Sequence, residues 1–292
     1  MSNMDLEARL EKILNDLSLY EEDVKSENVR DEYLRITGFD NDCKKAEVKE
    51  ITTKSNKINI IPFFDIHYGL KACNVPKLED YINFVLKNDD CYTFLGGDTC
   101  ESANRESVGL AMQDENLHTG DQRRELTDLL RPLAQNGKIL FGIPGNHEMR
   151  GHRFNGDNPL IEMCYDLGIP YLGFQAYLNL FVNGINYHIV GWHGKGGGKT
   201  ISGKINSASK MKNVAVADLY VSGHSHIRAT WDESFLRIDG DKVYKQRTVF
   251  VIGGSLVNYF DLYSEEAMLT PGVTGCVLIT LYGDRKHISV LI

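Results

Sequence analysis

The stretch INIIPFFDIH, residues 58–67, decides the fold. Its first seven residues form a near-continuous apolar run, and the run ends at Asp65-Ile66-His67. A short apolar run closed by polar residues reads as a strand buried on both faces, with functional groups in the loop beyond its end. The pattern recurs. YTFL (92–95) leads into Gly96-Gly97-Asp98, and ILFGI (139–143) leads into Gly145-Asn146-His147-Glu148. DLYVSG (218–223) leads into His224-Ser225-His226. Helical stretches lie between, at KLEDYINFVLK (77–87) and DQRRELTDLLRPLA (121–134), the second with Pro132 near its end.

Further along, the texture changes. YLNLFVNGINYHIVGWH (177–193) holds Asn183-Gly184 between two alternating runs, a hairpin signal. TVFVIGG (248–254), CVLITLY (276–282) and HISVLI (287–292) also read as strands. A chain that begins β-α-β and finishes β-rich predicts a layered α/β fold, an α/β/β/α sandwich.

Upstream, Leu6, Leu10, Ile13, Leu17 and Tyr20 step by four, three, four and three, which predicts a helix over 4–20. Two readings stay open: a helix that forms a homodimer or takes a partner, or one packed on its own domain. Residues 21–40 look helical in part, and 40–56 are polar and charged. The expected division is a helical extension, 1–52, and a main domain, 53–292.

The 292 residues carry a net charge of −8, which disfavours generic binding of polyanions. Any attraction for nucleotides or nucleic acid must then be local. The six cysteines include no C-x-x-C pair and predict reduced thiols. The charged N-terminus has no apolar core of a signal peptide, and no apolar run approaches the roughly 20 residues of a membrane span. The expected location is the cytoplasm, with no membrane partner.

The segments after the runs, with Trp192-His193-Gly194 after the hairpin, carry the chemistry. In an extended chain, residues two apart point the same way, so Asp65 and His67 are expected to reach one point from a strand end. Asp98 adds a second carboxylate, after two glycines that let backbone approach closely. Asn146 offers an amide oxygen; His193, His224 and His226 offer imidazoles. Nitrogen and oxygen donors without thiolate suit manganese first, then iron, zinc, cobalt or nickel. Each piece alone is weak, since D-x-H is common and G-N-H suits a turn. The ordered set is specific: five of the nine histidines (67, 147, 193, 224 and 226) fall in these segments.

Taken together, D-x-H, G-G-D, G-N-H-E, a lone H and G-H-S-H resemble the calcineurin-like metallophosphoesterase superfamily, closely over residues 58–230 and loosely beyond. GGDTCESANRESVG (96–109) and HGKGGGKTISGKIN (193–206) also resemble a branch common among bacteriophage-encoded members. The resemblance implies a four-layer α/β/β/α sandwich and two divalent metal ions. Asp65, His67 and His226 would hold one metal. Asn146, His193 and His224 would hold the other, with Asp98 bridging. His147 would face the substrate as general acid. The implied activity is hydrolysis of phosphate mono- or diesters by a metal-bridging hydroxide, between cations about 3.5–4 Å apart. The alternatives are a metal-dependent DNA or RNA nuclease and a non-catalytic scaffold, the latter disfavoured by the complete ligand set.

Other features carry two readings. Arg150, His152 and Arg153 bind further phosphate or form a solvated basic cluster. Asn104 and Arg105, in the long connection 99–120, are candidates to touch substrate. GKGGGKT (194–200) is not a P-loop, because the required first glycine is His193. Lys195 or Lys199 in that loop could reach substrate. Glu148 either orients a neighbour or is a polar turn residue.

Overall fold

Strand β2 (Lys57–Phe63) alternates as a doubly buried strand must. Ile58 and Ile60 enter one hydrophobic cluster, and Ile61 and Phe63 enter another on the opposite face. The structure is a computed structural model that describes residues 44–103, 107, 114–156, 158–196, 198–260, 265, 268 and 271–292. The helix expected over 4–20, and any dimer built on it, lie outside those residues. Ala46–Ile292 forms one compact unit.

Two sheets meet face to face. The first has the order β12-β11-β2-β3-β4, with β3 Cys91–Leu95, β4 Ile139–Gly142, β11 Leu278–Tyr282 and β12 Ile288–Leu291. Strands β2, β3 and β4 run parallel, and β11 is antiparallel to β2. Proline within an interior strand needs a reason, since it lacks an N–H. Pro62 is tolerated because the β11 ladder ends at Ile60.

The second sheet runs β1-β5-β6-β7-β9-β10, with β8 also on β9. Its strands are β1 Glu47–Ile51, β5 Gln175–Val182, β6 Ile185–Trp192, β7 Leu219–Ser222, β8 Arg228–Asp239, β9 Lys242–Ser255 and β10 Gly275–Cys276. The β5–β6 turn is the expected hairpin: Asn183 and Gly184 both have positive φ, 47° and 84°, as a type I′ turn demands. The Asn183 side chain also grips the chain beyond β1, accepting from Thr53 N at 2.8 Å.

Residues of both sheets fill the core between them, among them Phe94, Phe141, Leu178, Leu180, Val221 and Val251. Helices α1 (Val75–Lys87), α2 (Thr119–Gln135) and α4 (Pro159–Leu167) cover the outer face of the first sheet through Leu78, Leu126, Leu130 and Met163. Helix α3 (Asn146–Asn155) precedes α4 in the chain. Helix α5 (Ile201–Ser209) and the turn Lys210–Asn213 pack Ala208 and Met211 on the outer face of the second. The fold is the α/β/β/α sandwich expected.

Two strands escaped the sequence reading. β1 lies in the polar stretch 40–56 and reads EVKEI, an edge strand parallel to β5 with Val48 largely exposed. β8 pairs with β9 from Arg228 to Asp239, and its far half is solvent-facing, with Ile238 80% exposed. Strands that bury little show no apolar run. Among the described residues no helix is long and apolar enough to cross a membrane, and Cys73, Cys91, Cys100, Cys164 and Cys276 are free thiols.

Candidate metal centre

Every candidate ligand lies within a few residues of a parallel strand's C-terminal end. Asp65 and His67 follow β2, Asp98 follows β3 and Asn146 follows β4 in the first sheet. His193 follows β6, and His224 and His226 follow β7, in the second. Ligand sites in α/β sheets lie outside the carboxyl ends of strands. Here two stacked sheets contribute their ends to one edge.

The backbone there is unusual. Asp65, His67, Asp98, His224 and His226 all have positive φ, between 50° and 64°. The left-handed region costs a non-glycine residue roughly 1–2 kcal/mol, and such strain concentrates at functional sites. This corrects one expectation. Asp65 and His67 do not converge as alternate residues of an extended strand. β2 has already ended, and each ligand turns inward through a left-handed residue, with buried Ile66 between them. The neighbouring loops pack glycine against the site: a Cβ on Gly145 would stand 2.1 Å from Asp98 Oδ1.

Each carboxylate is anchored by one oxygen and aims the other inward. Asp65 Oδ2 accepts from His224 N at 2.8 Å. Asp98 Oδ1 accepts from His147 N at 2.8 Å, at the start of α3. The inward oxygens meet the imidazoles: Asp65 Oδ1 lies 3.2 Å from His226 Nε2 and 3.8 Å from His67 Nε2. Asp98 Oδ2 lies 3.1 Å from His193 Nε2 and 3.8 Å from His67 Nε2. Ligand atoms of Asp65, His67 and His226 all fall within 4.8 Å of one another, as do those of Asp98, His193 and His224, and those of His67, Asp98 and His147. Asp98 thus stands between His67 and His193.

These short distances are not hydrogen bonds. Asp65 Oδ1, His67 Nε2, Asn146 Oδ1 and His193 Nε2 are buried and have no hydrogen-bond partner. An unsatisfied buried polar atom costs about 1–3 kcal/mol. Four such atoms on three loops, three of them in the clustered groups, fit divalent cations that take oxygen and nitrogen donors. The far sides of the rings are held as metal-bound histidines usually are. His193 Nδ1 donates to Gly96 O at 2.9 Å, which leaves Nε2 as the lone pair. His67 Nδ1 lies 2.6 Å from Glu101 Oε2.

The electrostatics agree. Burial pushes the Asp65 carboxyl up, but His226 and His193 outweigh it and hold the carboxyl well below its ordinary range. Asp98 is likewise held low, against burial, by His193 and His147. Burial works to lower His193, yet Asp98 and Asp65 raise it to about 10. His67 is raised against burial by Asp65 and Glu101. Burial lowers His224. Two buried carboxylates therefore call for positive charge at the focus, which protons on the histidines or bound cations supply.

Two supporting carboxylates surround the ligands. Buried Glu148 accepts from Asp98 N, Thr99 N, Thr99 Oγ1 and Gly145 N at 2.6–2.9 Å, tying the loop after β3 to the loop after β4. It is the orienting residue, not a bare turn residue. Glu101 escaped the sequence reading. It contacts His67, and its backbone oxygen accepts from His147 Nδ1 at 2.7 Å. The only signal was a carboxylate three residues after Asp98 in a polar stretch.

His147 is buried beside Asp98, with its Nε2 2.9 Å from Arg150 Nη2. A carbonyl only accepts, so Nδ1 carries the proton and Nε2 accepts from the guanidinium. A helix turns 100° per residue, which puts Arg150 on the face of His147 and His152 about 140° away. His152 is exposed in the last turn of α3, as is Arg153, and no contact among the described residues joins either to the cluster. Asn104 and Arg105 lie outside the described residues. Lys195 O accepts from Ser207 Oγ at 3.3 Å, which ties the loop after His193 to α5.

No protein-family model matches the sequence, and no curated protein does. Among solved structures, the chain is similar to a metallophosphoesterase from Sphaerobacter thermophilus, at 15% identity and TM-score 0.40 over 81% of this chain and 88% of that one. It is similar to a predicted phosphoesterase from Streptococcus pneumoniae, at 14% identity and TM-score 0.35 over 80% and 97%. It is similar, too, to Vps29 complexed with zinc from Entamoeba histolytica, at 13% identity and TM-score 0.39 over 80% and 97%.

Proposed function

We propose that this chain is a metal-dependent phosphoesterase of the calcineurin-like superfamily, working on phosphate esters with two divalent cations. One observation supports the reading: six carboxylate and imidazole donors from four strand-end loops, those of Asp65, His67, Asp98, His193, His224 and His226, fall in overlapping clusters, and Asp65 Oδ1, His67 Nε2, His193 Nε2 and Asn146 Oδ1 are buried without a hydrogen-bond partner. Asp65, His67 and His226 would hold one cation. Asn146, His193 and His224 would hold the other, with Asp98 shared. Bound there, the cations would supply Lewis acidity for water and for the phosphoryl group. Manganese is the first choice, with iron, zinc, cobalt and nickel as alternatives.

The chain's own residues do the rest. Arg150, partly exposed beside His147 and Glu101, binds a non-bridging phosphoryl oxygen, as a guanidinium suits. Moving to the phosphate, it releases His147 Nε2. His147 Nε2 then takes a proton from solvent and gives it to the ester oxygen as the bond from that oxygen to phosphorus breaks. The Glu101 carbonyl holds the ring throughout. Glu148 keeps Asp98 in its strained conformation, so the focus does not have to assemble on binding.

The test uses purified chain with manganese on an aryl phosphomonoester, an aryl phosphodiester and labelled single- and double-stranded DNA and RNA. Hydrolysis of the small esters, abolished by chelation and restored by manganese, is the expected result. Cleavage of nucleic acid with no turnover of small esters moves the assignment to a nuclease. No turnover with any of the five metals overturns the enzyme.

A further inference from the structure

We propose that Lys204 is a positioning residue for the candidate metal ligands, its ammonium holding the Ser225 carbonyl so that His224 and His226 keep their places in the cluster. This rests on the metal reading of the cluster and names the residue that braces one side of it.

The loop after β7 needs bracing. His224 and His226 have left-handed backbone, with φ of 64° and 52°, and such conformations persist only where the surroundings hold them. Their rings serve two different groups of donors: His226 joins Asp65 and His67, and His224 joins Asp98 and His193. At the start of the loop, Gly223 N donates to His193 O at 2.9 Å and His224 N donates to Asp65 Oδ2 at 2.8 Å. The next bond, from Ser225 N to Gly223 O at 2.8 Å, stays within the loop. The Ser225 carbonyl belongs to the peptide that enters His226, and it accepts from Lys204 Nζ at 3.0 Å.

Helix α5 is placed to give that bond. Thr200 Oγ1 caps it by accepting from Gly203 N at 3.2 Å, and Ala208 packs it on the second sheet. Residues three and four apart share a helix face, so Lys204 lies on the side of Ser207 and Ala208. Ser207 ties the loop after His193 through Lys195 O, at 3.3 Å. A Cβ on Gly194 would stand 2.9 Å from His224 Cβ, so the two loops bonded to α5 also pack on each other. Lys204 is half-buried, and no carboxylate among the described residues offsets the burial of its charge. The space between α5 and the loops, lined by Lys204, Ser222 and Ser225 among others, is about 10 Å³. That is room for about one water and none for a substrate, so the ammonium serves the loop.

The experiment titrates manganese by calorimetry into the full-length, metal-free protein as wild type, Lys204→Met and Lys204→Arg. Methionine keeps the apolar stem and removes the donor; arginine keeps a cationic donor. Lys204→Met is expected to weaken manganese binding about 10–100-fold, and Lys204→Arg to recover most of the loss. Amide hydrogen exchange in the metal-free proteins gives a second reading. The His224 N–H is expected to exchange about tenfold faster in Lys204→Met than in the wild type, with recovery in Lys204→Arg. Where the wild type binds manganese, affinity decides. Unchanged affinity in Lys204→Met overturns the proposal, and so does an equal loss in both variants, which would make the effect one of packing. Where the wild type binds no manganese, the metal reading fails and the exchange rate decides alone. Faster exchange in Lys204→Met with recovery in Lys204→Arg supports the brace; an unchanged rate, or equal acceleration in both variants, overturns it.

Discussion

Strand β7 carries histidine or aspartate at both ends, and the two ends behave oppositely. At its start, Asp218 is buried but fully engaged. It accepts from His188 N at 2.8 Å, Lys286 Nζ at 2.7 Å and Gln246 Nε2 at 3.3 Å. Beside it the Tyr187 hydroxyl donates its one proton to the Tyr282 carbonyl at 2.7 Å, with the Arg285 and His287 carbonyls at 3.0 Å, and accepts from His287 N. At the other end of β7, beyond Ser222, the inward atoms of Asp65, His67 and His193 have no hydrogen-bond partner and the backbone is left-handed at five candidate ligands. Residues serve structure where, as at Asp218, both carboxylate oxygens find donors inside the protein. At the other end lone pairs are left over, which suits a bound ligand. Sequence motifs register residue types. Satisfaction distinguishes the two ends.

The sharpest way to break this comparison is Asp98→Asn. Turnover should fall to the uncatalysed level, and calorimetry should show loss of manganese binding, because the shared carboxylate is gone. A variant that binds and hydrolyses like the wild type would put the two ends on an equal footing. Next in size is His147→Ala, which should keep the metal and lose about 10²–10⁴ in kcat; wild-type turnover would remove its proton-transfer role. Glu101→Gln should cost about 10–100-fold in metal affinity or activity, since it holds His67 from behind. Affinity and turnover within twofold of wild type would make that contact incidental.

Metal removal gives a smaller signal. At a hundredfold excess over its dissociation constant, manganese should stabilise the fold by about 2.7 kcal/mol. That corresponds to a rise in Tm of roughly 5–10 °C, reversed by chelator. An unmoved melting curve would mean that the orphaned atoms are not ligands. Smallest in function is Asp218→Asn. It should lower Tm by roughly 5 °C through lost charge-assisted bonds, about 1.5–3 kcal/mol, and leave turnover within twofold. Loss of activity there, with the melting curve unchanged, would erase the contrast between the ends.

Much of this was legible in residue order. The runs at 58–64, 92–95 and 139–143 and the hairpin at Asn183-Gly184 became β2, β3, β4 and β5–β6 because burial on two faces leaves no room for polar residues. The helices at 77–87 and 121–134 became α1 and α2. β1 and β8 were hidden because edge and protruding strands bury too little to leave a pattern. Glu101 was hidden for another reason. A lone carboxylate in a loop looks the same whether it faces water or a buried histidine.

By itself the sequence determined the layered class, the buried elements and the candidate donor residues, because hydrophobic periodicity and ligand chemistry are local properties of the chain. Only the tertiary structure decided that the donors share one edge, which atoms of each are left over, and that Arg150 rather than His152 faces His147. Those outcomes depend on two sheets stacking with their strand ends together, and on left-handed turns at Asp65, His67, Asp98, His224 and His226. Residues from 65 to 226 have to meet before any of it exists, and the pattern of apolar and polar residues along the chain does not encode which way a loop turns once its strand has ended.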